Sequence, residues 1–451
     1  MRNRLLWEGS HIFETWRQNR PGFCAFLCVL CMVLFFTLPA VGIASSLTDA
    51  QRLDAYITLA GWSSEQGEYQ SALEYIDQAI ELCPQENVPV LSELWLKKGS
   101  LHALTGEMEP GITALNTALE MNPALAQGYL VRGQIYASQG KNALAAQDIG
   151  TFSSLGAGDG DSLLSSGELY LSMGMAMEAK NALDQYFAQE KEPQIRAFYL
   201  RGLAGMELKE YEAAAEDFSL AAEDEALQAT AQFNRGVCYL QLGEYQKAVD
   251  DFSAAQKMDD TIQGLYFNRG TGKMALADYE GAAEDFSTSI QLEVMASESL
   301  YNRGLCYLQA ARYGEAEADF EALTKQPEAR GDARYYLGVS RMAQDKFSLA
   351  AEDFSRSIAA GVSTAWSLHN RGSCYFALGE YRKAVEDHTA NIDSAELLAL
   401  SYYSRSQAYS KLGDTQSAQR DLIASLEAEK TEGIIEQPVN DIILPTDQTA
   451  P

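Results

Sequence analysis

The chain is poor in histidine, tryptophan and proline. It has four histidines, five tryptophans and eleven prolines among 451 residues. His11, His102, His369 and His388 stand in no metal-ligand spacing, and no HExxH or nucleophile elbow occurs. The common zinc and serine hydrolases are thereby excluded, and the sequence implies no metal, no cofactor and no catalytic residue. Gly270-Thr271-Gly272-Lys273 lacks the spacing and the following Ser/Thr of a phosphate loop. Gly156–Asp161 has the beginnings of a calcium loop, but Tyr170 stands where the bidentate glutamate would be. Basic residues are scarce too: 34 Lys and Arg oppose 63 Asp and Glu, a formal charge of −29. Residues 1–44 carry Arg2, Arg4, Arg17 and Arg20 against Glu8 and Glu14, so the remainder stands at −31. Such an excess repels nucleic acid and anionic lipid and admits cationic or neutral partners. It also keeps a long surface soluble.

What is abundant is order at one period. Gly202, Gly236, Gly270, Gly304, Gly338 and Gly372 recur every 34 residues, and Ser406 takes the next slot. The surrounding words recur as well: Phe233-Asn234-Arg235-Gly236, Phe267-Asn268-Arg269-Gly270, Tyr301-Asn302-Arg303-Gly304, His369-Asn370-Arg371-Gly372. A fixed period of this length means one supersecondary unit stacked on copies of itself. With 47% hydrophobic residues the chain can bury a large interior, which excludes global disorder.

Residues 229–262 show the unit. Ala229 to Leu242 read as a helix ended by Gly243, a residue suited to a left-handed cap. Gln246 to Met258 read as a second helix, with Ala248, Phe252 and Ala255 on one face. The pattern resembles the tetratricopeptide repeat through Gly236, Tyr239, Gly243, Tyr245, Ala248, Phe252 and Ala255. Eleven units start near Leu53, Ser92, Ala126, Gly160, Ile195, Ala229, Gln263, Ser297, Gly331, Ala365 and Ala399. The resemblance implies an all-α, right-handed superhelical solenoid over residues 53–430. It also implies a non-catalytic scaffold whose first helices line a concave surface for protein or peptide partners. The family's turn glycine is replaced by Ala277, Ala311 and Asp345, where a different turn geometry is expected.

Charges recur in register. Arg201, Arg235, Arg269, Arg303, Arg371 and Arg405 stand where the family has an apolar residue. Sixteen residues on come Asp217, Asp251, Asp285, Asp319, Asp387 and Asp421, and Arg132 with Asp148 makes a seventh pair. Asp353 lacks its arginine, having Leu337. Charges that come and go together predict an ion pair across each hairpin; a charged ligand track is the alternative. Cys238, Cys306 and Cys374 are 68 residues apart, in the same slot of every second unit. At that separation no disulfide can form, so these and Cys83 read as buried free thiols.

The candidate partner-binding residues lie on the first helices. One slot runs Tyr199, Phe233, Phe267, Tyr301, Tyr335, His369, Tyr403, beside Asn234, Asn268, Asn302 and Asn370. The next two run Leu203, Val237, Thr271, Leu305, Val339, Ser373, Gln407 and Met206, Leu240, Met274, Leu308, Met342, Phe376, Ser410. Such a stripe suits an extended peptide or an amphipathic helix. Packing between neighbouring first helices is the alternative. A cell-envelope glycan, stacked on the rings and bonded by the asparagines, is the other ligand class.

The ends differ from the repeats. Residues 1–22 form a basic leader and residues 23–44 are apolar apart from Thr37. A membrane anchor and a signal peptide cleaved after Ala44 both fit. Both place the arginines in the cytoplasm and the repeats outside it. Residues 431–451 carry four acids, no base, Pro438, Pro445 and Pro451, and cannot form a twelfth unit. They read as a disordered tail, or as a segment whose Ile434, Ile435, Ile442, Ile443 and Leu444 cover the end of the last repeat.

Overall fold

The computed structural model describes residues 47–156, 160–326 and 331–432. The basic leader, the apolar stretch 23–44 and the tail beyond 432 lie outside the described residues, as does the middle of the Gly156–Asp161 loop. The described residues form 22 helices and no strand. None of these helices is long and apolar enough to cross a membrane. The chain divides into two compact units, one up to Lys191 and one from Glu192.

The first unit holds four helical hairpins. They are α1 (Asp49–Glu65) with α2 (Tyr69–Leu82), α3 (Val88–Thr105) with α4 (Met108–Met121), α5 (Ala126–Ser138) with α6 (Asn142–Leu155), and α7 (Gly160–Ser172) with α8 (Ala176–Gln189). The second unit holds seven. They are α9 (Ile195–Glu207) with α10 (Tyr211–Ala221), α11 (Gln228–Gln241) with α12 (Tyr245–Met258), α13 (Leu265–Ala275) with α14 (Tyr279–Gln291), and α15 (Ala296–Gln309) with α16 (Tyr313–Thr324). Then come α17 (Ala333–Met342) with α18 (Phe347–Ala359), α19 (Thr364–Ala377) with α20 (Tyr381–Asp393), and α21 (Leu398–Leu412) with α22 (Thr415–Glu432). Within each unit the second helix of one hairpin packs on the first helix of the next. The core is therefore a chain of local clusters, as a stack of units too small to bury their own faces requires.

Each hairpin reverses through one residue in the left-handed region. Gly106, Gly243 and Gly413 hold φ of +82°, +74° and +82° there. The substituted turns depart from expectation. Ala277, Ala311 and Asp345 keep the same turn at φ of +61°, +55° and +59°, and Lys209 does so at +62°. The backbone bond that closes the turn explains why. Asp278 N–H donates to Lys273 O at 2.9 Å and Arg312 N–H to Tyr307 O at 2.8 Å, as Glu244 N–H does to Tyr239 O at 2.9 Å behind Gly243. Those bonds hold the geometry whatever the side chain.

The recurring glycine has a steric cause. A Cβ on Gly236 would lie 2.8 Å from the Phe252 ring, and one on Gly304 would lie 2.8 Å from Phe320. The second-helix ring occupies the place of that Cβ. Cys83, Cys238, Cys306 and Cys374 are buried free thiols. Burial pushes Cys238, Cys306 and Cys374 up to about 12, far from reactive thiolates.

Candidate functional site

The first-helix slots of the second unit build each hairpin in the same way. In the ring slot, Phe233 rests on Phe252 at 5.6 Å between centroids, and Phe267 on Phe286 at 5.8 Å. Tyr301 rests on Phe320 at 6.0 Å and Tyr335 on Phe354 at 5.8 Å. Tyr199 on Phe218 and His369 on His388 repeat the contact at 5.7 and 5.4 Å. Phe233, Phe267, Tyr301 and Tyr335 are 0–5% exposed. Of the two readings of the stripe, packing describes these four rings: they belong to the interior, between their own second helices and the neighbouring first helices.

The asparagine slot is interior as well, at 0–8% exposure for Asn234, Asn268, Asn302 and Asn370. Asn234 Nδ2 donates to the Tyr199 hydroxyl at 3.2 Å, and Asn370 Nδ2 to the Tyr335 hydroxyl at 3.3 Å. Each thus ties its hairpin to the one before. Where the preceding ring is phenylalanine there is no hydroxyl to meet. Behind Phe267, both amide atoms of Asn302 lack a hydrogen-bond partner, and behind Phe233 so does Asn268 Oδ1.

The arginine slot forms two-pronged ion pairs. Arg303 Nε and Nη2 donate to Asp319 at 2.8 and 2.6 Å, and Arg235 to Asp251 at 2.7 and 2.6 Å. The same pairs form between Arg132 and Asp148, Arg201 and Asp217, Arg269 and Asp285, Arg371 and Asp387, and Arg405 and Asp421. The sequence did not reveal the third prong. Arg235, Arg303, Arg371 and Arg405 each turn Nη1 to a hydroxyl of the preceding hairpin, on Ser219, Ser287, Ser355 and Thr389, at 2.9–3.0 Å. Each arginine therefore clamps three helices. The hydroxyl sixteen residues before it was the available signal. Asp353 is not orphaned either: Arg341, one helical turn beyond Leu337, donates from Nη1 at 2.6 Å and also binds Glu317 at 3.0 Å. Lys98 reaches back to Asp77 of the preceding hairpin at 2.6 Å.

The aspartates pay for this burial. Desolvation raises the carboxyls of Asp319 and Asp387, although their arginines pull the other way. His369 and His388 replace an aromatic pair. Burial holds them down to about 4 and about 3, and neither Nδ1 has a partner. They are neutral rings in the place of phenylalanines. The Gly270–Lys273 run lies inside α13, where the Thr271 hydroxyl donates to Phe267 O at 2.9 Å and Lys273 binds Asp285 at 2.8 Å.

The stripe opens only at its flanks. Thr271 and Leu305 are fully buried, and Met274 and Leu308 nearly so. Tyr199, Leu203 and Met206 on α9 are half-buried, as are Val339 and Met342 on α17 and His369, Ser373 and Phe376 on α19. On α21, Gln407 and Ser410 are exposed and Tyr403 is 47% exposed. Tyr403 is open because no described hairpin follows α21 and α22, whereas the next first helix brings Asn234 to Tyr199 and Tyr336 to Tyr301. Next to this face, Trp366 meets the His369 ring edge-on at 6.1 Å. A half-open hollow of about 340 Å³ is lined by Trp366, Leu368, Asn391 and Glu396. Among the described residues no group of three or more His, Cys, Asp and Glu side chains is placed to hold a metal.

This architecture is that of a helical-repeat protein, one two-helix unit reused. Three sequence models described as tetratricopeptide repeat match the chain, at residues 229–261, at 267–333 and 307–362, and at 53–86, 92–125 and 399–432. The chain belongs to the tetratricopeptide repeat family. Similar solved structures include a tetratricopeptide repeat protein from Parabacteroides merdae ATCC 43184, 20% identical, covering 53% of this chain and 93% of that one with a TM-score of 0.41. Another is the TPR domain of P58(IPK), 17% identical, covering 72% and 99% with a TM-score of 0.26. A third is YrrB, described as a TPR protein with an unusual peptide-binding site, 20% identical, covering 40% and 92% with a TM-score of 0.34. No curated protein sequence matches the chain significantly.

Proposed function

We propose that the chain is a non-catalytic scaffold held outside the cytoplasm, which grips a protein or peptide partner on the first-helix face of α17, α19 and α21. Proteins of this family typically bind protein or peptide partners. The observation that carries the reading is the change in exposure along the stripe. Its middle is consumed by packing, while Met342, Ser373 and Phe376 are half-buried and Tyr403, Gln407 and Ser410 are exposed. Apolar side chains with polar neighbours suit an amphipathic segment. The −29 charge favours a cationic or neutral one. The glycan alternative needs rings and amides that water can reach, and four of each are interior. The basic leader and the apolar stretch 23–44, whether anchor or cleaved signal, support the extracytoplasmic placement.

A photoreactive residue at Tyr403 of the full chain in native cells should yield a discrete crosslinked protein. Met342→Ser with Phe376→Ser should abolish that product while the helical spectrum is kept. No product, or an unchanged yield, contradicts the assignment. Protease added to intact cells stripped of any outer layer should digest the repeats; protection would place them in the cytoplasm.

A further inference from the structure

Three connections between hairpins share one backbone. Glu293 and Met295, Gly361 and Ser363, and Ala395 and Leu397 all stand in the left-handed region, at φ between +45° and +69°. In each, an N–H returns to the carbonyl five residues before it: Val294 to Ser289 and Val362 to Ser357 at 3.1 Å, and Glu396 to Asn391 at 2.8 Å. Side chains close the first two loops. Ser289 Oγ donates to Val294 O at 2.6 Å and Ser357 Oγ to Val362 O at 2.9 Å. Each also accepts from a buried serine of the next first helix, Ser299 or Ser367, at 3.0 Å. The third loop breaks this pattern. Asn391 replaces the serine and Glu396 the valine. Asn391 Nδ2 donates to Ala365 O at 2.9 Å. Asn391 Oδ1 and Ser401 Oγ, on residues 0% exposed, are left without a partner. Unpaired buried oxygens are unfavourable, so their presence in this copy alone of three needs a reason.

The same loop lines the half-open hollow of about 340 Å³, together with Trp366. The slot of Trp366 holds Gly264, Glu298, Asp332 and Leu400 in the neighbouring hairpins, so the indole is particular to this one. We propose that the hollow takes a guanidinium or alkylammonium group, presented by an arginine or lysine side chain of the protein partner inferred above. The proposal deepens that reading and rests on it for the source of the side chain. No Lys or Arg lines the hollow, whereas Glu396 brings a carboxylate, Asn391 an amide oxygen and Trp366 a π surface. A cation pairs with the first, donates to the second and is attracted to the face of the third. The start of α19 borders the hollow and favours anions, but the end of α20 borders it with the opposite sign and Glu396 adds a full charge. The volume stands at the lower end of ligand sites, which span about 300 to 1,000 Å³. It suits one long side chain rather than a folded segment. A water molecule would satisfy Asn391 but would explain neither the indole nor the charge.

The test titrates the full chain, labelled with 5-fluorotryptophan, with the amides of acetylarginine and acetyllysine. Fluorine resonances are followed, and that of Trp366 is assigned with Trp366→Phe. Its signal should shift saturably with both cations and not with acetylnorleucine amide. Glu396 is exposed, so Glu396→Gln keeps the fold; it should weaken the arginine amide about five-fold. Asn391→Ser with Glu396→Val restores the loop of the two sister hairpins and should abolish the response while the helical spectrum is kept. No saturable shift, an equal response to norleucine, a response to sodium acetate, or unchanged affinity in Glu396→Gln overturns the proposal. The titration needs no protein partner, so its failure is separate from a failure to crosslink at Tyr403. Glu396→Gln should also lower the yield of that crosslink, and an unchanged yield overturns the assignment of the cation to the partner.

Discussion

Ala277, Ala311, Asp345 and Lys209 hold a backbone conformation that glycine adopts freely and other residues adopt at a cost of about 1–2 kcal/mol. Ala311→Gly should therefore raise stability by about 1 kcal/mol in urea unfolding, after the flexibility that glycine adds to the unfolded chain. A loss of stability would mean the turn is unstrained. The opposite change in the helix slot should be harmful. Gly304→Ala drives a methyl group into the Phe320 ring and should cost about 1–3 kcal/mol. An unchanged unfolding midpoint would mean that the ring moves aside freely. The glycine slot was legible in the sequence because close approach admits only a hydrogen atom, so it left the same letter in six successive units. The left-handed alanines were not. A bond between backbone atoms sets that turn, and no side chain records it.

Within the hairpin, the arginine clamp is the strongest polar contact. Asp319→Ala strands Arg303, whose side chain is only 20% exposed, and should destabilise the protein by about 3–5 kcal/mol. A cost below about 1 kcal/mol in unfolding measurements would show a solvated pair. The pairing itself was readable from arginine and aspartate coming and going together. Its reach to the preceding hairpin left a fainter signal, a hydroxyl sixteen residues before the arginine, on serine and threonine that otherwise look like ordinary helix-surface residues. The histidine pair makes the tenth hairpin sensitive to acid. A free histidine titrates near 6.5, whereas burial holds His369 to about 4 and His388 to about 3. Below about pH 6.5 the unfolded chain takes up protons that the folded chain refuses. Stability from this pair is thus lost as pH falls from about 6.5 toward 3. Asp319 and Asp387 act in the opposite sense, because their raised carboxyls favour the folded form in acid. His388→Phe should lose less stability than the parent between about pH 7 and pH 4.5, measured by urea midpoints. Equal losses would show that the histidines are solvated.

Stacked hairpins share no single core, so what each face of the chain can do depends on how closely neighbours approach. Residue types in register announced the eleven units and their helical hairpins. They could not announce which first-helix side chains stay open. Phe267 and Tyr403 stand in the same slot, yet Phe267 is 1% exposed and Tyr403 47%. The difference lies in the neighbours: α15 and α16 stack on the hairpin of Phe267, and no described hairpin follows that of Tyr403. Asn302 shows the same limit, since its lack of a hydrogen-bond partner follows from Phe267 in the hairpin before it rather than from its own repeat. The central claim is that the repeated rings are structure, and that recognition falls to the flank where they give out. Helical circular dichroism and urea unfolding of the triple variant Phe267→Ser, Tyr301→Ser, Tyr335→Ser test it most directly. The account predicts loss of helix and of cooperative unfolding in the second unit, because three fully packed rings leave cavities and buried hydroxyls. A variant that keeps the parent's spectrum and midpoint would contradict it.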